Sequence, residues 1–271
     1  MNLREPIFEE KIKLMKLFLL TIAFSMFAVN TWGQGKSAAQ ITSGKITYVE
    51  KIRLEIKLEG EAAQMAANFP KENISEKELL FTSEATLFQE GKDITNEMNV
   101  ENHDGVIIKI ASSGEDKIYA DLKNNKIIEQ RDFMNRMFLI EKPIPESAWK
   151  ITGNQKVILG YSCMEASKSD SAGQKTVVWF SPSIPVKGGP ASFVNLPGMV
   201  LEANENNNSR IYLAKSVEQL TPEELKIQKP KDGKKLTELE FEAVVAEKMK
   251  EMGMPGGKMG SGAQMNVIIR N

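Results

Sequence analysis

The sequence predicts a mainly β protein: an antiparallel meander that forms a curved sheet or incomplete barrel, followed by a C-terminal amphipathic helix. Three observations predict it. Between 46 and 58, Ile46, Tyr48, Ile52, Leu54, Ile56 and Leu58 hold the even positions and only Glu50 breaks the set, while most odd positions are Lys, Arg, Glu or Thr. A period of two over that length means one buried and one wet face. Short apolar runs then recur up to about residue 217 with turn residues between them and no convincing crossover helix, which favours antiparallel neighbours. After Gln219 the spacing becomes helical. A meander of this many strands must curl.

The elements follow in order. Residues 62–67 favour helix, and Pro70 ends it. Residues 79–89 return to strand chemistry, with Leu79, Phe81, Ala85 and Leu87 on one side. Residues 91–104 are polar and turn-like and hold His103, the only histidine, which reads as a solvated loop residue. Strands are expected over 106–111, 118–122, 127–133 and 137–140, with a hairpin at Lys123-Asn124-Asn125. Pro143 and Pro145 break the pattern before Trp149, and Gly153-Asn154 reads as a turn. One long strand, 157–168, carries Gly160, Tyr161 and Cys163, and 175–181 carries Trp179. Strands 199–203 and 210–217 pair across the Asn-rich tip 204–208.

Thr221-Pro222-Glu223-Glu224 is a capping box with Pro at the first helical position, and Pro230 stops that helix early. Thr237 to Glu240 is a second capping box. Phe241, Val244, Val245, Met249 and Met252 then repeat at helical spacing and would lay an apolar face on or inside the sheet. Residues 254–262 are Gly-rich, and 267–269 form a β-prone end.

The chain of 271 residues divides into an expected signal peptide (1–33), a β domain (34–220) and a helical, Met-containing segment (221–271). Lys11, Lys13 and Lys16 precede the apolar run 17–29, and small residues at Thr31 and Gly33 suit cleavage after Gly33. The run is short for a membrane span, so a periplasmic or secreted protein is expected, with no transmembrane segment after cleavage. Glu5, Glu9 and Glu10 are unusual in such a leader, and Met15 is an alternative start. The formal net charge of −1 leaves no basic excess for nucleic acid. Cys163 is the only cysteine, so no internal disulfide forms, and the thiol reads as a small buried hydrophobe.

Residues 188–202 read GGPASFVNLPGMVLE. Leu196-Pro197-Gly198-Met199 is expected to be a type II turn that re-aims a strand. This segment resembles the signature of the GLPGLI family of exported bacterial proteins, reading NLPGMV here. Asn195, Met199 and Val200 depart from the family pattern, and Asn195 tolerates a left-handed backbone if one is needed. Trp149-Lys150-Ile151, Ile158, Gly160-Tyr161, Cys163, Ala166, Trp179-Phe180, Ile184-Pro185 and Gly189-Pro190 extend the resemblance. It implies an envelope role, because genes of that family often neighbour those of TonB-dependent outer-membrane transporters.

Four constellations compete for function. Trp149, Tyr161, Cys163 and Trp179 would line one concave face, either as a pocket for a small apolar or peptide ligand or as aromatic core. Met249, Met252, Met254, Met259 and Met265 offer soft thioethers for Cu(I), or simply helix core and tail. Catalysis finds scattered carboxylates and no nucleophile–base set, so no enzyme and no cofactor are expected. The open sheet edge would accept a partner strand, such as one from a transporter. A non-catalytic envelope binding or accessory protein is the leading expectation, and a Cu(I) binder the alternative.

Overall fold

β1 (Gly44–Arg53) is the strand from which the sheet extends both ways. In this computed structural model the described residues are 40–53, 71–91, 97–101, 107–111, 116–146 and 149–251. The expectations for 1–33, for strand beyond residue 53, for helix over 62–67, for His103 and for everything after 251 lie outside them.

On one side of β1 lie β2 (Glu72–Phe81), β3 (Ala85–Glu90), β6 (Lys117–Asp121), β7 (Lys126–Phe133) and β8 (Arg136–Pro143). On the other lie β13 (Arg210–Gln219), β12 (Met199–Glu205), β11 (Lys175–Ser181), β10 (Tyr161–Ser169) and β9 (Lys150–Ile158). With β14 (Lys234–Leu236) beyond β8, the sheet has twelve strands and is open and curved, as the sequence predicts. It is two meanders fused through the antiparallel β1–β13 pair rather than one. β4 (Glu97–Glu101) and β5 (Ile107–Ala111) pair as a separate two-stranded sheet: β5 lies where a strand is expected, and β4 lies where the sequence suggested only turn.

Local chemistry explains the elements and the corrections. β1 alternates buried and half-buried residues as its period requires, and Glu50 is buried with the apolar set. The expected strand over 79–89 is a hairpin, because Thr82 Oγ1 accepts the N–H groups of Glu84 and Ala85 and turns the chain. The expected long strand over 157–168 breaks at Leu159-Gly160, whose φ values of 51° and 84° make a two-residue hairpin turn of the primed kind. Gly153-Asn154 is not a turn. It lies inside β9, where the β9–β10 register shifts across Met164 and Ala166, so the pair is a bulge. Asn206, Asn207 and Asn208 all have positive φ at the β12–β13 tip, as side chains of this kind tolerate.

Both capping boxes form. The Thr221 backbone N–H and hydroxyl donate to Glu224 at 2.8 and 2.9 Å, ahead of α1 (Pro222–Leu225). The Thr237 pair does the same with Glu240 at 2.7 and 2.9 Å, ahead of α2 (Glu238–Glu251). Phe241 and Val245 of α2 pack on Phe133, Phe138 and Ile140, with Met249 beside them. The sequence missed β14 (Lys234–Leu236), which pairs parallel with β8 at the sheet edge. Its three residues carry no period that could announce it.

The segment between β11 and β12 covers one face of the sheet. Ile184, Val186, Phe193, Val194 and Leu196 are buried there. Leu196 to Met199 re-aims the chain as expected, but not as a type II turn. The Gly198 N–H donates to the Leu196 carbonyl at 2.8 Å, and the Met199 N–H goes instead to Ile184 at 3.0 Å. This is a three-residue turn about Pro197. Gly198 has φ of +155°, and a Cβ there would sit 2.3 Å from the Ser181 carbonyl oxygen. Glycine is therefore required by close backbone approach as well as by conformation. Asn195 does adopt the left-handed region, at φ 72°.

Candidate functional site

The face covered by the 182–198 segment has an apolar part and a charged part. Tyr48, Phe88, Tyr212, Phe193 and Trp149 form a continuous aromatic row, each ring centroid 5.8–6.4 Å from the next. Tyr48 donates its hydroxyl to the Val200 carbonyl at 2.6 Å and ties β1 to β12 just after the signature turn. This row is tightly packed core.

Beside it runs a band of buried charge. Strand register places it: Lys77 pairs with Tyr48 and with Glu90, Glu50 with Tyr212, and Glu205 with Arg210, so these side chains share the face of the aromatic row. Glu50 accepts the Ser75 hydroxyl at 3.1 Å and lies 3.4 Å from both Lys77 Nζ and Arg210 Nε. Lys77 also pairs with Glu90. Arg210 donates to the Tyr212 hydroxyl at 3.5 Å. On β7 and β8, Glu129 is clamped by Arg131 and by Lys142 at 2.6 Å. Glu238 of α2 joins Lys142 at 3.0 Å and Arg131 at 3.5 Å, and Arg131 lies 5.1 Å over the Phe241 ring. Charge therefore anchors the helix that the apolar stripe docks.

The environments separate these groups. Burial would raise Glu129, but Arg131 and Lys142 outweigh it and hold the carboxyl below its ordinary value. Burial pushes Asp116, just before β6, up to about 6, although it accepts the Asp132 N–H at 2.8 Å and faces Arg131 and Lys77. Burial likewise raises Glu205 and lowers Lys168, two opposite charges that only partly compensate each other. The Lys168 ammonium lies 4.6 Å over Trp149. The Trp149 indole N–H is buried and has no hydrogen-bond partner among the described residues. Trp149, Lys168 and Glu205 thus combine an unsatisfied indole donor, an exposed cation whose ammonium is only partly screened by the ring beneath it, and a half-buried acid at one end of the band.

The expected site residues part company here. Trp149 joins the aromatic row through Phe193. Trp179 pairs in register with Glu165 and Glu202, on the opposite face from its strand neighbours Val178 and Phe180. There Lys156 lies 4.3 Å over the Trp179 ring and 2.6 Å from Glu202. Cys163, opposite Lys156 in register, is fully buried, and burial pushes its thiol up to about 11. Tyr161 is half-buried beside the hairpin turn. Leu196 is buried in the covering segment and Gly198 sits against Ser181. Met249 packs against α2's docking site, while Met252, Met254, Met259 and Met265 lie outside the described residues. Glu50 was visible in the sequence as a break in a perfect alternation. Lys168 and Glu205 gave no such signal, because strand pairing alone brings them together, and neither did Asp116, which is placed by its contact with Asp132 of β7.

A protein-family model matches residues 74–242, well over half of the chain. The chain belongs to the family of the N-glycanase peptide, N-terminal domain. That N-glycanase N-terminal domain match takes in the charged band from Lys77 to Glu238, Trp149 and the signature turn; Glu50 precedes it. Among solved structures, PNGF-II in space group P21 is similar at 18% identity over 75% of this chain and 33% of its own, with a TM-score of 0.49. PNGF-II in space group C2 gives 20%, 75%, 32% and 0.48. An uncharacterized conserved protein from Thermus thermophilus is similar at 7% identity over 73% of this chain and 92% of its own, with a TM-score of 0.37. The chain spans about a third of the length of the PNGF-II chains it matches. No curated protein matches it.

Proposed function

We propose that this chain is a non-catalytic binding module of the bacterial envelope, exported as its GLPGLI resemblance implies, which holds a polar, peptide-like ligand on the charged end of its covered face. The Trp149–Lys168–Glu205 constellation carries this reading. A cation, an acid and an indole donor held in partial desolvation are costly to a fold that needs them only for stability, and a ligand offering complementary groups would relieve the cost. The 182–198 segment already fills the apolar part of the face, which favours a polar ligand over a purely apolar one. Membership of the N-glycanase N-terminal family suggests the class: a peptide bearing an asparagine-linked glycan, whose hydroxyls suit both carboxylate and indole N–H.

The non-catalytic part is supported by the deepest carboxylates. Glu50 and Glu129 each lie between two cations. At Glu129 the Arg131 and Lys142 charges outweigh burial, hold the carboxyl below its ordinary value and withdraw it from proton transfer near neutral pH. A docking role beside an outer-membrane transporter is compatible with this module and adds a partner to it. The test is calorimetric titration with an asparagine-linked glycopeptide and with the same peptide lacking the sugar. Binding of the glycopeptide, weakened by Lys168→Met and by Glu205→Gln, supports the reading. Absence of binding to either peptide overturns it, and release of free glycan during the titration overturns its non-catalytic part.

A further inference from the structure

On the other side of β7 and β8 lies a cavity of about 440 Å³, bounded by the stretch after α1 and by β14. Its floor is apolar: Ile128 and Leu139 are nearly fully buried, Pro230 is buried and Leu236 half-buried. Its rim carries Lys229, Lys231 and Lys235. The two acids in the lining are already engaged. Glu141 pairs with Lys126 at 2.6 Å, and Glu240 accepts the Thr237 N–H and hydroxyl at the start of α2. Glu141 also feels Lys229 and Lys235, and Asp121 feels Lys229, but none of the three rim lysines forms an ion pair among the described residues. The volume falls in the range of small-molecule sites, roughly 300–1,000 Å³.

We propose that this cavity is a binding site for a small single-chain amphipathic anion, with an aliphatic body on the Ile128–Leu139–Pro230–Leu236 floor and its anionic head among the three lysines. An apolar floor alone would accept any hydrocarbon, and three exposed lysines alone any anion. Their adjacency selects molecules that have both parts. The rim ammoniums are separate point charges on flexible stems, which suits a carboxylate or sulfate head without fixing its orientation. The site lies away from the Trp149 constellation, so it stands or falls separately from the function proposed above.

The test is isothermal titration of the full chain with sodium decanoate, beside acetate as the head alone and octyl glucoside as a neutral amphiphile. One decanoate should bind per chain, with acetate and octyl glucoside weaker by at least about tenfold. The triple variant Lys229→Gln, Lys231→Gln, Lys235→Gln changes only exposed side chains. It should keep the wild-type thermal midpoint and lose at least about tenfold in decanoate affinity. Methyl resonances of Leu139 and Leu236 should shift on binding. No decanoate binding, equal binding of octyl glucoside or acetate, or undiminished binding by the triple variant would each overturn the proposal.

Discussion

Replacing Asp116 by Asn should make the protein progressively more stable than wild type as pH rises. Burial moves this carboxyl from an ordinary 3.8 to about 6 in the folded protein, while the unfolded chain keeps the ordinary value. Below about pH 4 both states hold the proton, and the group contributes no pH dependence. Between the two values the unfolded chain has released the proton and the folded one has not. The folded state therefore binds more protons, and stability falls as pH rises. Above about pH 7 both are ionised and the cost is complete. At about 1.4 kcal/mol per pH unit, the gap corresponds to roughly 3 kcal/mol, an upper bound given the partial exposure of the group. Asn cannot titrate, yet its carbonyl oxygen can accept the Asp132 N–H as Asp116 does. The titration of Glu129 and every other acid is common to both proteins and cancels. Urea unfolding at about pH 4, 5, 6 and 7.5, followed by tryptophan fluorescence, gives the difference directly. It should move in the variant's favour by about 2–3 kcal/mol across that window and then level off. A difference that is constant with pH, or that moves the other way, would refute the placement of Asp116 in a desolvated site.

Three further outcomes follow from the same geometry. Gly198→Ala should destabilise by at least about 2 kcal/mol in urea unfolding, because its Cβ meets the Ser181 carbonyl, whereas Gly160→Ala, with open space around it, should cost about 1–2 kcal/mol from backbone strain alone. Glu50→Ala leaves Lys77 and Arg210 without their shared carboxylate in a buried setting, and should cost about 3–5 kcal/mol by the same assay. The Cys163 thiol, buried and protonated at neutral pH, should react with a disulfide reagent at the rate of unfolding rather than at that of a free thiol, and urea should restore fast reaction.

The legible part of the fold was whatever repeats locally. The alternation in β1, the Asn-rich tip before β13 and both capping boxes are short-range signals with a single structural solution, and each forms as the sequence indicates. Hairpins were harder where the turn borrowed ordinary residues. Leu159-Gly160 and Thr82 to Glu84 turn the chain through backbone angles and one hydroxyl, within runs that otherwise look continuous. Three-residue β14 carries too little pattern to see. At the candidate site, Trp149 was visible as an aromatic beside a proline break, and Glu50 as a flaw in an alternation. Trp179 and Trp149 look like one set as long as strand parity is not fixed; a bulge and an extra hairpin place them on different faces. Lys168 and Glu205 become neighbours of Trp149 only through long-range pairing, which no local window contains.

The most direct test of the binding account uses the indole N–H of Trp149 itself. The chain has three tryptophans, so 15N labelling resolves few indole signals, and Trp149→Phe and Trp179→Phe assign two of them. Titration with the asparagine-linked glycopeptide should shift the Trp149 indole signal saturably while Trp179, stacked under Lys156 on the opposite face, stays in place. A Trp149 signal that ignores the glycopeptide, or a shift confined to Trp179, would contradict the account.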